Sequence, residues 1–577
     1  MTMLRKILFF ISFMLSISVM GQQKYLSLAG NWAFKIDSLN VGEKEQWFNE
    51  PSSFFTQKIK LPGTMDDAGF GNPVKVLPEL KREVMLHLWR KVSYTGAAWY
   101  QKEIIIPAGW EDKYAEIFLE RVILVTSIWI DGKPLNEKGE SLVAPHTFNS
   151  LSTLKPGKHI ITLRIDNSKK FDISLGTQNF AHTYTDETQI IWNGVIGKIG
   201  ITAKAKVFIE SLQVYGDGES NTVKVTSSLN NETNTTVKST INFLITSANN
   251  TISFDSAVVL NPGVTDIDIS IKIKNSIKKW DEFNPVLYKL AATVKTSIGA
   301  DTKTTSFGFR KINNAAAQLQ INGRPLFLRG TLECSIFPKE GHAPMKKAGW
   351  LRVFTIAKSY GLNHLRFHSW CPPEAAFTAA DELGFYLQVE LPVWTTKIGM
   401  DAPADNFLKG EADRIIKYYG NHPSFCFWSM GNEMQGNMQW LSDEVNLLKA
   451  KDNRRLYTTT SFTFEEGYGK SPQAADDYLI TQYTKKGWVR GQGIFDADLS
   501  LRNKVHCQYL MGLGYLGFGN AKAEGAEKLF EQVLQSDTSH QGAIIHKKMI
   551  KHHCPIGVVF YQCIMAAQKP TLVDQSR

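Results

Sequence analysis

The stretch Asn421-His422-Pro423-Ser424-Phe425-Cys426-Phe427-Trp428-Ser429-Met430-Gly431-Asn432-Glu433 carries the residues best placed to do chemistry. It opens as a turn, becomes an apolar run that reads as a buried strand, and ends on an amide and a carboxylate where the strand stops. Such a pair can hydrogen-bond a ligand and exchange a proton with it. Polar groups at the carboxyl end of an apolar strand are what the working face of a parallel α/β barrel presents. Taken alone, Glu433 is as readily a solvated loop residue. Arg366, His368, Glu390 and Tyr483 change that weighting. Each closes its own strand-like run, and with Asn432 and Glu433 they lay out one end of a barrel.

The elements that must position these side chains begin near Ile312. Residues 325–330, 363–368, 385–390, 455–460 and 478–483 read as strands, alongside the strand before Gly431. Residues 350–360, 374–383, 405–419 and 441–449 read as the intervening helices. Strands alternating with helices of this length indicate parallel βα units. Upstream the pattern differs. Residues 22–205 carry short alternating strands with regular turn signals, the signature of a β-sandwich of jelly-roll type. Trp32, Trp192 and Asn193 in that region could touch a sugar but read first as structural. Residues 206–310 are rich in Ser, Thr, Asn, Val and Ile with period-two alternation, which fits a small immunoglobulin-like sandwich acting as a spacer.

Composition narrows the classes of function. The chain has 577 residues, too many for one core. Its net charge of +10 comes from scattered Lys and Arg, so it reads as a solvated surface and not as a nucleic-acid footprint. Arg5 and Lys6 precede an apolar run too short to span a bilayer, so residues 1–21 read as a signal peptide and the protein as periplasmic or secreted. No later segment is apolar enough to span a membrane. The six cysteines show no CxxC or zinc-ligand spacing, the histidines show no HExxH pattern, and no metal or cofactor is expected. Cys334, Cys371 and Cys426 read as buried free thiols.

Two sandwiches followed by a barrel resemble glycoside hydrolase family 2, which contains β-galactosidases, β-glucuronidases and β-mannosidases. Gly30-Asn31-Trp32 with Pro62-Gly63-Thr64 resembles the start of that family's sugar-binding domain. Ile191-Trp192-Asn193-Gly194 with Gly197-Lys198-Ile199 resembles its end. Residues 363–368 resemble the strand that supplies an active-site arginine, and 421–433 the acid/base strand. The resemblance implies a retaining β-glycosidase acting on a carbohydrate, with Glu433 as acid/base and Asn432 on the sugar 2-hydroxyl. Arg366 would then orient a nucleophile carboxylate. His368, Glu390, Trp394, Tyr483 and Trp488 would contact substrate hydroxyls or stack on them, or simply pack. An apolar neighbour such as Trp428 would hold the Glu433 pKa high. An inverting reaction pairing Glu433 with Glu390 is the weaker alternative, and a catalytically inactive carbohydrate-binding or interaction protein the main rival.

One departure from the family follows from counting strands. The nucleophile is expected after the seventh strand, whereas the barrel pattern of 311–498 breaks off after about six. Residues 510–535 then read as two helices around a Gly-rich turn. Gly512, Tyr515, Ala526 and Phe530 there resemble a tetratricopeptide repeat. The segment 499–577 is therefore expected to be a short helical tail, able to offer a surface to a protein partner, in a chain whose nucleophile is missing. From His546 onward no further element is legible.

Overall fold

Alternation of apolar and polar residues folds the first third of the chain into two facing antiparallel sheets in the computed structural model. The structure describes residues 24–76, 79–81, 84, 88–135, 137–150, 154–174, 181–247, 251–274, 276–315, 318–461, 474–480, 499–518 and 522–551. The expected signal peptide, Tyr483, Trp488, Cys554 and Cys563 lie outside the described residues. Among the described residues, no helix is long and apolar enough to cross a membrane.

The larger sheet pairs Ala97–Ile106 with Gly157–Asp166 along their full lengths, and the smaller is built around Gly194–Lys204 and Tyr114–Arg121. Between them lie Trp32, Phe34, Tyr100, Ile117, Leu119, Phe148 and Ile201, all buried. Trp32 therefore packs within this sandwich, and Trp192 is buried in the cluster that contains the barrel core. Asn193 is buried too: it accepts a hydrogen bond from Tyr100 and donates to the Gly96 carbonyl. The two glycine motifs of this sandwich have a common cause. Gly63-Thr64 pairs with Gly194-Val195, and a Cβ on Gly194 would lie 2.3 Å from the Gly63 carbonyl oxygen.

The spacer is a second sandwich. Thr222–Asn231 buries every second residue and pairs with Gly263–Lys272, facing the sheet formed around Val237–Thr246 and Tyr288–Thr296. This is the alternation that the sequence shows.

A parallel sheet follows, with strands in sequence order: β1 (Gly330–Glu333), β2 (His364–Phe367), β3 (Tyr386–Glu390), β4 (Phe425–Ser429) and β5 (Leu456–Thr458). Helices α1 (Lys347–Ser359), α2 (Glu374–Leu383), α3 (Ala402–Tyr419) and α4 (Met438–Lys451) connect them. Two helices start three residues earlier than the expected 405 and 441, each at a side-chain cap. Asp401 caps α3 by accepting from Ala404 N, and Asn437 caps α4 by accepting from Trp440 N. The first strand is not where the sequence placed it. Arg324–Pro325 belongs to a small antiparallel hairpin, and the barrel strand starts at Gly330. The apolar run at 325–328 is a weaker strand signal than the pairing of Gly330 with His364. Of the expected sixth strand, 478–483, Ile480 bridges Ser461 in parallel, Tyr478 and Leu479 are not in a strand, and 481–483 lie outside the described residues.

The Asn-His-Pro opening of the key stretch does architectural work. Asn421 donates to the Leu212 carbonyl and to Thr305, and its side-chain oxygen accepts from Val214 N and Arg454, which seats the barrel on the spacer sandwich. His422 lies between Asp381 at 2.6 Å and Glu374 at 3.1 Å, both on α2.

Residues 493–577 form a separate compact unit. It comprises α5 (Leu499–Gly517), α6 (Ala523–Ser536) and α7 (Gln541–Lys551), packed around Val505, Ala526, Phe530, Val533 and Ala543. Two corrections apply. α5 starts earlier than the expected helix at 510, and a third helix, Gln541–Lys551, runs into the segment from His546 where no element was legible. Gly512 explains the helical hairpin: a Cβ there would fall 2.5 Å from the Phe530 ring.

His422 yields a pH prediction. Burial pulls its pKa down, but the charges of Glu374 and Asp381 outweigh that and push it up to about 10. A folded-state pKa above the unfolded one means that the stabilisation is complete below about 6.5 and is lost as pH rises through about 10. His422→Gln should therefore lower stability by about 3 kcal/mol at pH 6, through the unpaired carboxylates it leaves, and the deficit should shrink toward pH 10. Urea midpoints of both proteins across that range check it.

Candidate active site

The strand periodicity sorts side chains between two environments. On β2, Leu365 and Phe367 join the helix-facing core while His364 and Arg366 face the other way; on β3, Leu387 and Val389 join the core while Gln388 and Glu390 oppose them. A register shift at Cys426 then puts both Phe425 and Trp428 of β4 into the helix-facing core. Trp428 stacks between Phe425 and Tyr457 there, which corrects the expectation that it neighbours Glu433. The side chain that hydrogen-bonds the Glu433 carboxyl is Trp394.

A buried ion pair anchors the site. Arg366 Nε donates to Glu390 Oε1 at 2.6 Å, and Gln388 Nε2 donates to the same oxygen at 3.1 Å. The backbone N–H of Ser369 donates to Oε2 at 2.7 Å. Glu390 has no solvent exposure. Burial raises its pKa, but the Arg366 guanidinium and His368 outweigh burial and leave it below the usual carboxylate value. Gln388 Nε2 also reaches Ser461 Oγ at 3.0 Å, which ties the pair to the segment after β5.

Arg366 holds Asn432 as well, by donating from its terminal nitrogen to Asn432 Oδ1. That bond fixes the amide orientation. Asn432 is fully buried, and its Nδ2 has no partner among the described residues. The backbone here is equally constrained. Gly431 has φ +148°, and a Cβ on it would come within 2.8 Å of the Val393 carbonyl oxygen. Glu433 sits at φ 47°, a left-handed conformation that costs a non-glycine residue roughly 1–3 kcal/mol. Hydrogen bonds hold it there: Glu433 N donates to the Ser461 carbonyl at 2.8 Å and Met434 N to Thr460 Oγ1 at 2.9 Å. Burial, with Glu390 adding to it, raises the Glu433 pKa against the opposing effects of Trp394 and Arg366.

Trp394 links the carboxyl to His368, whose ring lies 5.0 Å from it centroid to centroid. Burial pushes the His368 pKa down to about 3, so the ring is neutral near physiological pH. The structure thus links Arg366, His368, Glu390, Trp394, Asn432 and Glu433 in one chain of contacts. Gln388, Ser369 and Ser461 complete it and were not singled out from the sequence. Gln388 carried a signal, as a polar residue inside an apolar strand. His182 had none: it reaches His368 from the first sandwich, with ring centroids 4.6 Å apart.

Comparison with known proteins follows the same division of the chain. Residues 25–184 match the model of the glycosyl hydrolases family 2 sugar binding domain, 207–310 match glycosyl hydrolases family 2, and 311–547 match that family's TIM barrel domain. The chain belongs to glycosyl hydrolases family 2. Within this family, the β-galactosidase of Priestia megaterium is 22% identical over 524 residues, covering 85% of this chain and 48% of the relative. The β-galactosidase of Thermoanaerobacterium thermosulfurigenes is 24% identical over 458 residues, covering 76% and 59%. A β-glucuronidase structure from Bacteroides uniformis superposes with a TM-score of 0.64 at 17% identity, over 80% of this chain and 55% of that one, and shares the fold. The chain spans about half the length of the curated relatives it matches. The family's TIM barrel match runs through α5 and α6 to residue 547, although residues from Gly493 form a separate compact unit.

The ion pair in this family 2 barrel should behave as a unit. Arg366→Met leaves Glu390 buried and unpaired and is expected to cost about 3–5 kcal/mol. Adding Glu390→Leu should return most of that loss. Urea midpoints of the single and double variants measure it.

Proposed function

We propose that the chain is the scaffold of a β-glycosidase in which Glu433 is the general acid/base and Asn432 binds the sugar 2-hydroxyl. The observation that carries this reading is Asn432 Nδ2, a buried donor without a partner among the described residues, oriented by Arg366 next to a half-buried carboxyl of raised pKa. A donor left unsatisfied in a dry site costs about 1–3 kcal/mol, which a ligand hydroxyl would recover. The raised pKa keeps Glu433 protonated longer, as protonation of a leaving oxygen requires. His368 and Trp394 would form the wall beside the sugar ring.

A retaining mechanism needs a second carboxylate about 5–5.5 Å from the acid/base. Among the described residues, Glu390 is the carboxylate whose charge bears on Glu433, and three N–H donors already hold it in full burial. That arrangement speaks for Glu390 as the residue that positions Arg366, and against an inverting pair of Glu433 with Glu390. The nucleophile of a retaining reaction would then lie outside the described residues. The same observation favours a second reading, in which the chain binds carbohydrate without turning it over. The apolar run before Gly21 supports export. In the helical unit, the Gly512–Phe530 contact supports a tetratricopeptide-like hairpin, and the exposed Leu510, Met511 and Phe518 support a protein partner there.

Hydrolysis of p-nitrophenyl β-galactoside, β-glucuronide and β-mannoside by the full chain separates the two readings. Turnover is expected to fall about 10²–10⁴-fold in Glu433→Gln. The loss should be larger for alkyl glycosides, whose leaving groups depend more on the proton. Because the acid form is the active one, the alkaline limb of the rate profile should report Glu433 deprotonation. Sugar binding without turnover on any substrate would leave the binding reading standing and remove the enzyme.

A further inference from the structure

The segment of the first sandwich that carries His182 is fastened to the barrel loops by a set of hydrogen bonds. His182 N donates to Ser369 Oγ at 3.1 Å, and Thr183 Oγ1 donates to the Ser369 carbonyl at 3.0 Å. Thr188 Oγ1 donates to the Cys334 carbonyl at 2.7 Å, and Ser335 Oγ to Gln189 Oε1 at 3.2 Å. Gln189 Nε2 returns to the carbonyls of His182 and Thr183. The result brings together three residues far apart in sequence. One ligand-capable atom from each of His182, Cys334 and His368 lies within 4.8 Å of the others.

We propose that His182, Cys334 and His368 form a binding site for a borderline-soft divalent cation, zinc in the first instance, with solvent as the fourth ligand. Two imidazole nitrogens and one sulfur suit zinc and its neighbours in the first transition row and are poor ligands for calcium or magnesium. Ligands at about 2.0–2.3 Å around a tetrahedral ion are closer together than these atoms, so closure requires small rotations of the thiol and the rings. The tautomer is already set on one side. His182 Nδ1 lies 3.1 Å from the His368 carbonyl and can only donate to it, which leaves the Nε2 lone pair for a metal. A backbone carbonyl holding the far nitrogen of a ligating histidine is the usual outer support of such sites. His368 Nδ1 is likewise engaged, with Ser369 Oγ at 3.1 Å. Binding would displace the Cys334 thiol proton to solvent and would join the sandwich to the barrel beside Trp394, whose ring centroid is 5.0 Å from that of His368 and 6.3 Å from that of His182.

The test is a titration of the chelator-treated full chain with cobalt(II), followed by displacement with zinc. One equivalent should bind with the visible bands of a tetrahedral ion and a near-ultraviolet thiolate-to-cobalt band, and zinc should remove both and raise the melting temperature. Cys334→Ser should lose the thiolate band, and His182→Asn should weaken binding by at least about tenfold. Zinc should also protect Cys334 of the unmutated chain from iodoacetamide while the exposed Cys507 reacts. That measurement decides the matter even if a variant fails to fold. Cobalt binding without a thiolate band, a band that persists in Cys334→Ser, or alkylation of Cys334 at an unchanged rate in saturating zinc would each overturn the proposal.

Discussion

The buried pair of Arg366 and Glu390 is the interaction on which the rest of the site depends. A guanidinium and a carboxylate removed from water are costly unless their hydrogen bonds are completed, and here Gln388, the Ser369 N–H and Asn432 complete them. The pair therefore specifies more than its own geometry. It fixes the end of β2 against the end of β3, and through Asn432 it fixes the chain after β4. Replacing it with apolar side chains would leave a packed barrel face with nothing to orient the amide.

The stretch from Asn421 to Glu433 shows how one strand serves two ends of a domain. At its start, Asn421 and His422 bind the barrel to the spacer sandwich and to α2. At its finish, Gly431 allows a close approach to Val393 that no side chain would permit. Between them the register shift at Cys426 rotates the strand, so that Trp428 stays in the core while Asn432 faces Arg366. A strand pinned at both ends transmits the position of its base to its tip with little slack.

Much of this was legible in the sequence because the barrel strands are short apolar runs closed by polar residues, a pattern set by burial on both faces. The helices of the barrel were legible from the alternation of the pattern, but their starts were placed at 405 and 441, three residues late, because the caps Asp401 and Asn437 were passed over. What was not legible depended on contacts distant in sequence. The choice of Trp394 over Trp428 as the partner of Glu433 follows from a one-residue register shift, which leaves no trace in composition. Gly330–Glu333 was overlooked as the first strand because its pairing with β2, not its own hydrophobicity, makes it a strand. His182 approaches the barrel from a different domain, and spacing along the chain carries no information about that meeting.

Two adjacent residues carry costs that packing alone does not explain. Glu433 adopts a left-handed backbone that glycine would tolerate at no cost, and Asn432 buries an amide donor with no acceptor among the described residues. Neither feature stabilises the barrel: a glycine at 433 would be cheaper, and at 432 it is the amide oxygen, not the Nδ2 donor, that Arg366 uses. The surroundings nevertheless hold both in place, through Ser461 and Thr460 on one side and Arg366 on the other. Several hydrogen bonds are thus spent on holding in place a donor that has no partner among the described residues. On the proposed function, the stability forgone at Asn432 would reappear as affinity for a hydroxyl that fills the gap, beside the half-buried carboxyl of Glu433 whose pKa burial raises.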